Sequence, residues 1–189
     1  MRVSCIQMCS GKDIKENIKL SKELIIKAIK EKADLIITPE TSSIFGLNKK
    51  QLLVGTTSMK KDVYLNAIKQ IAREYKKWIL TSILIKERNK IKNRSILVNP
   101  KGSTHIYYDK IHMYDAQLSK NEKYYESKTF TPGKLIKTTN LPWGKLGLTI
   151  CYDLRFPNMF RNLSRRGSLF ISVPSAFTET TGKKHWHSL

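Results

Sequence analysis

Cysteine is scarce in this chain. Its three thiols, Cys5, Cys9 and Cys151, are too few and too unevenly spaced for a disulfide framework or a thiolate zinc site. Long apolar runs are missing too, so no segment reads as a bilayer span, and Met1 leads straight into an amphipathic stretch with no signal-peptide pattern. A soluble, cytoplasmic protein in a reducing compartment is the expectation. No internal repeat, low-complexity tract or inter-domain linker is evident, and 189 residues fit one domain, residues 1–189. Acidic side chains are the other shortage: 15 Asp and Glu stand against 35 Lys and Arg, a formal charge of +20. That balance raises nucleic acid or an anionic surface as a partner. The lysines, however, are scattered through every predicted helix and turn, and no nucleic-acid signature with interleaved aromatics occurs. Abundant Lys, Ile and Asn together point to a general compositional bias, with weak polyanion binding at low salt and no specific nucleic acid.

What is present begins with alternation over residues 2–8, which predicts an N-terminal core strand with Cys5 and Cys9 packed in or beside it. Asp13 and Glu16 form an Asp-x-x-Glu capping box, after which Ile14, Ile18, Ser21, Ile25, Ala28 and Ile29 recur at helical spacing. Residues 35–38 read as a short apolar strand stopped by Pro39, which delivers Glu40 at its C-terminal edge. Ligands bind at that edge in open α/β sheets. Residues 41–61 read as a loop, and Val63, Ala67, Ile68, Ile71, Ala72 and Tyr75 mark a second amphipathic helix. Strands are expected over 78–85, 94–99 and 104–108, with a charged turn over 86–93, and further strands over 135–138 and 168–174. Lys110 falls at the end of the 104–108 strand. The tail, 175–189, is polar and carries His185 and His187.

The stretch from Gly144 to Pro157 reads as strand, sharp turn, helix: an apolar run ends abruptly at Cys151, and Pro157 opens a helical segment closed by Gly167. A thiol at the tip of such a turn faces free backbone amides, whose partial positive charge is expected to lower its pKa toward the thiolate. Core packing is the competing role for a free cysteine. Glu40, Lys110 and Cys151 thus recur at strand ends. They supply a base, a cation for an oxyanion and a nucleophile, a complete set for acyl transfer. Among other candidates, His112 is expected to be structural, because successive side chains on a strand end face opposite ways. His185 and His187 have no carboxylate or thiolate beside them, so no metal site is expected. Arg155 could meet a substrate carboxylate as a bidentate fork, or pair with Asp153.

Three segments resemble the signatures of the nitrilase superfamily of carbon-nitrogen hydrolases, in the family's order. They are Pro39-Glu40, Tyr108-Asp109-Lys110-Ile111-His112-Met113-Tyr114-Asp115, and Leu148-Thr149-Ile150-Cys151-Tyr152-Asp153-Leu154-Arg155-Phe156-Pro157. Glu126-Ser127 before Thr131-Pro132-Gly133, and Pro174-Ser175-Ala176-Phe177-Thr178 through Thr181-Gly182 to His185-Trp186, look like its Nit branch of amidases. The resemblance implies an α/β fold, a four-layer αββα sandwich, and a Glu-Lys-Cys triad at Glu40, Lys110 and Cys151, with Glu126 helping to position it. It also implies a small-molecule amide substrate and no cofactor. In the chemistry that fits this triad, the backbone N–H of Tyr152 joins Lys110 at the oxyanion. Members of the family continue beyond the His-Trp segment, so a sandwich incomplete at the C-terminus is expected, completed by a second copy of the chain or by a partner. An inactive remnant of such an amidase, or remotely a basic nucleic-acid-associated protein, are the alternatives.

Overall fold

The computed structural model describes residues 1–120 and 122–188. Strand β1 (Val3–Cys5) leads to helix α1 (Ile14–Lys30), strand β2 (Leu35–Ile37), helices α2 (Lys49–Gly55) and α3 (Val63–Tyr75), and strands β3 (Trp78–Glu87), β4 (Lys90–Val98) and β5 (Thr104–Asp109). These strands form one sheet in the order β1-β2-β3-β4-β5, parallel from β1 to β3 and antiparallel from β3 to β5. The period of two along β3 divides its side chains between two cores. Ile79, Ile83 and Ile85 pack with Ile36, Ile96 and Val98 against Ile25 and Ala28 of α1 and Leu65, Ile68 and Ala72 of α3. Leu80, with Leu35 and Leu97, faces the opposite way.

That opposite face packs on a second sheet. After the hairpin of β6 (Asp115–Gln117) and β7 (Lys123–Tyr125), the chain forms β8 (Lys137–Leu141), β9 (Gly144–Leu148), helix α4 (Pro157–Arg165), β10 (Phe170–Ser172) and helix α5 (Glu179–His185). The sheet order is β10-β9-β8. Leu146 and Leu148 of β9 meet Leu35, Leu80, Leu97 and Tyr108, while α4 contributes Met159 and Leu163. At Gly147, on the alternate face of β9, a Cβ would stand 3.2 Å from Leu163 Cδ2 and 3.0 Å from Ser168 Oγ, so a glycine there lets α4 lie close on the sheet. The result is helices, sheet, sheet, helix: the expected αββα layering.

Several local expectations change. The first strand is only Val3–Cys5, and Cys5 and Cys9 are exposed rather than packed in the core. The Asp13 side chain accepts from Lys15 N and Glu16 N, which gives one half of the anticipated capping box. Within the supposed loop 41–61 lies α2, capped at both ends of its first turn by Asn48 and Gln51. The charged turn shrinks to Arg88 and Asn89, because β4 already begins at Lys90. The 135–138 strand begins at Lys137 and runs on to Leu141, and the tail 175–189 holds α5, with Leu189 outside the described residues.

Candidate active site

Glu40 follows Pro39 at the end of β2, Lys110 follows β5, and Cys151 follows β9; all three strands therefore present their C-terminal ends to one place. Cys151 opens a tight 3-10 turn, Cys151–Arg155, with φ at 44°, a left-handed conformation that costs free energy in any residue with a Cβ. Its N–H donates to Pro174 O at 3.0 Å, tying the turn to the segment after β10. Asp153, fully buried, fixes the turn from below. Its Oδ2 accepts from Ile150 N at 2.9 Å and from the Tyr108 hydroxyl at 2.6 Å, and its Oδ1 accepts from His112 N at 3.1 Å and lies 2.7 Å from His112 Nδ1. One carboxylate thus clamps the cysteine turn to the Lys110 segment. His112, its ring stacked on Phe156 with centroids 3.5 Å apart, is structural as expected. Arg155, in contrast, stands exposed, and Asp153 has other partners.

The Lys110 ammonium, 1% exposed, lies 2.9 Å from Glu40 Oε1 and 3.0 and 2.8 Å from the two oxygens of Glu126. Burial opposes its charge, but the two carboxylates outweigh burial and raise its pKa. Glu126 sits on the short turn Glu126–Lys128 and also accepts from Tyr114 N at 2.8 Å. Its segment is anchored at Gly133, whose N–H donates to Lys110 O at 2.7 Å; a Cβ at Gly133 would collide with Asp109 O at 2.2 Å. Burial, reinforced by Glu40, leaves the Glu126 pKa raised despite Lys110.

Glu40 is held on both oxygens: Oε1 accepts from Asn93 Nδ2 at 2.8 Å as well as Lys110, and Oε2 accepts from Ala176 N at 3.0 Å. Beneath it, the Ser42 hydroxyl donates to Pro39 O at 2.6 Å and contacts Thr38 Oγ1 at 2.9 Å, which in turn meets Thr81 Oγ1 at 2.8 Å. Asn93 and these hydroxyls escaped the sequence reading. Asn93 sits where the sequence predicts a charged turn, and the Thr-Ser-Ser run after Glu40 falls in the predicted loop, although serine and threonine side chains of this kind commonly bond to nearby backbone.

Glu40, Lys110, Glu126 and Cys151 meet in a cavity of about 440 Å³, bounded also by Tyr114, Tyr152, Phe177 and, toward the rim, Arg155 and His185. His187 is exposed. The ring of Tyr152 packs edge-on against Tyr114, centroids 5.1 Å apart, and serves as wall rather than polar group. The thiol does not behave as the strand–turn–helix pattern suggests. Burial, then the charge of Glu40, push the Cys151 pKa up more strongly than Lys110 pulls it down. The reason is geometric: α4 begins only at Pro157, beyond the 3-10 turn, so the helix end is not at the sulfur.

Comparison with known proteins gives the family and the fold. The family description "carbon-nitrogen hydrolase" matches residues 2–189. The chain belongs to the carbon-nitrogen hydrolase family. A deaminated glutathione amidase of Yersinia enterocolitica is 33% identical over 192 residues, covering 99% of this chain and 66% of that protein. The crystal structure of the Caenorhabditis elegans NitFhit protein superposes with a TM-score of 0.89 at 30% identity, covering 98% of this chain and 46% of that one. Saccharomyces cerevisiae Nit3, described as a member of branch 10 of the nitrilase superfamily, gives 0.85 at 27% identity over 98% of this chain and 68% of its own. The carbon-nitrogen hydrolase chain thus has the nitrilase fold and Nit-branch relatives, and spans 66% of the Yersinia relative's length.

Proposed function

We propose that the chain hydrolyses the amide carbon–nitrogen bond of small acids through a thioester on Cys151, with Glu40 as proton shuttle and Lys110 as oxyanion partner. The observation that carries this reading is the ammonium of Lys110, 2.9 Å from Glu40 and 2.8 Å from Glu126, in the wall of the cavity that holds the thiol. Amides are poor electrophiles, so the site's work is to add the nucleophile and stabilise the oxyanion together. Because the buried thiol stays protonated, Glu40 takes its proton as sulfur attacks the carbonyl carbon. The tetrahedral oxyanion rests between the Lys110 ammonium and the backbone N–H of Tyr152. Glu40 then returns the proton to nitrogen, ammonia leaves, and water activated by the same carboxylate releases the acid and restores the thiol. Glu126 is the positioning residue, keeping Lys110 charged and oriented.

Arg155, exposed at the rim, is the proposed partner of the substrate's carboxylate, which agrees with relatives named for a deaminated glutathione. A second copy of the chain is the proposed partner, read by light scattering, and a reducing compartment suits a thiol nucleophile. The test is ammonia release from a small ω-amide. Cys151→Ala should abolish it, and Lys110→Ala should lower kcat by about a thousandfold, as loss of an oxyanion partner does. A Cys151→Ala chain retaining the original rate would overturn the assignment.

A further inference from the structure

A second cavity of about 120 Å³ adjoins the site on its Glu40 and Glu126 side, away from the Cys151 lining, and shares four of its walls, Glu40, Phe45, Glu126 and Ala176, with the cavity that holds Cys151. The rest of its lining is almost wholly apolar: Ile44, Leu47, Leu52, Leu84 and Phe130. Three of these, Ile44, Leu52 and Leu84, are buried parts of a separate apolar cluster that closes over Ile91. The two spaces therefore adjoin at the Glu40 carboxylate. Nothing in the amide chemistry assigned to the larger cavity requires a second one.

We infer that the rear cavity is a compartment for small neutral molecules, the place where ammonia departs and water arrives while the acyl group fills the front cavity. This rests on the amidase reading above. Its logic is one of traffic. Once the thioester forms, the acyl portion occupies the side of the site open toward Tyr114, Tyr152 and Arg155, and Glu40, itself 4% exposed, has little other approach. The rear space has room for a few molecules the size of water. The Glu40 and Glu126 carboxylates in its wall repel the carboxylate of the product acid, and the apolar side chains around them offer it no partner, so the acyl group stays in front while neutral ammonia and water pass. The protons balance without any further reagent. Glu40 takes the thiol proton and hands it to the amide nitrogen as the carbon–nitrogen bond breaks, so nitrogen leaves as neutral ammonia. A water from the rear then gives a proton to Glu40 as its oxygen bonds the thioester carbon, and that proton returns to sulfur when the carbon–sulfur bond breaks.

The test alters the cavity from both directions in the full chain. Leu84→Phe and Leu52→Phe each fill it, and should lower kcat for a small ω-amide by about tenfold and KM with it, so that kcat/KM stays within about twofold, while mass spectrometry finds acyl-Cys151 accumulating. Leu84→Ala enlarges it, and should raise the ratio of hydroxamate to acid when hydroxylamine competes with water, by about fivefold. Should a filling variant fail to fold, the enlarging variant and the other filling variant decide. Filled variants that melt like the parent chain and turn over at its rate, or an unchanged hydroxamate ratio in Leu84→Ala, overturn the rear compartment while leaving the amidase reading intact. Ammonia release that persists at the original rate in Cys151→Ala overturns the amidase reading itself, and this inference with it.

Discussion

Lys110 is the residue on which the site turns, because a buried ammonium is tolerated only beside groups that compensate it. Glu40 and Glu126 do so here, and Glu40 is steadied in turn by Asn93 and Ala176. Asn93 is 1% exposed, donates to Glu40 Oε1, and leaves its own Oδ1 without a protein partner among the described residues. Its role is to position the carboxylate rather than to touch substrate. Asn93→Ala should lower kcat by about tenfold to a hundredfold while KM stays within about twofold, a split that steady-state kinetics on the small ω-amide would show. An equal rise in KM would mark a general loosening of the pocket instead. Glu40, Lys110 and Cys151 were legible in the sequence because each follows a strand, where chain reversal brings distant residues together. Asn93 was not, since a polar residue among lysines reads as solvent-facing until Glu40 is found opposite it. The protonated state of Cys151 was equally hidden, because burial and the nearby anion outweigh any pattern of turn and helix along the chain.

At the scale of elements, the 3-10 turn Cys151–Arg155 is held by Asp153, which joins it to Tyr108 and His112 on either side of Lys110. Asp153→Ala would strand the Tyr108 hydroxyl and Ile150 N in a closed interior and remove the partner of the half-buried His112 N. Urea denaturation should show a loss of about 3 kcal/mol or more, given the cost of unpaired buried polar groups. A change below about 1 kcal/mol would mean the turn is held by packing alone. The long elements α1, α3 and β3 were readable because their apolar residues repeat over several turns or pleats. Helices α2 and α5, seven residues each, are too short to establish a period and owe their ends to caps at Asn48 and Thr178. The start of β4 was obscured by charge, because Lys90 and Lys92 alternate there with the buried Ile91 and Asn93, and the burial of Arg94 was hidden as well. Arg94 is buried, yet it is paired with Glu87 at 2.6 Å and with Asp109 through two hydrogen bonds of 2.5 and 3.0 Å. Such pairing cannot be seen before the strands are in register.

For the whole molecule, the two centres of the site act on stability in the same direction. Cys151 and Lys110 both have pKa values raised by folding, so above the ordinary thiol range the folded chain binds more protons than the unfolded one. Stability should therefore be fully present at neutral pH and decline as pH rises past about 9, the thiol contributing first and the ammonium later. Urea midpoints between pH 7 and about 10 would reveal the slope, and Cys151→Ala should flatten its first part. The αββα layering was legible through the resemblance of the motifs to the family's, since strand and helix alternation by itself gave no layering. The order of the second sheet was not, since β8, β9 and β10 are short and β9 contains glycines at 144 and 147. The left-handed φ of 44° at Cys151 has a last consequence. Replacing this cysteine by alanine keeps a methyl in a cramped backbone, whereas glycine relaxes it. Of the two variants, Cys151→Gly should melt at the higher temperature. The difference between them measures how much robustness the living protein forgoes by planting its sulfur there.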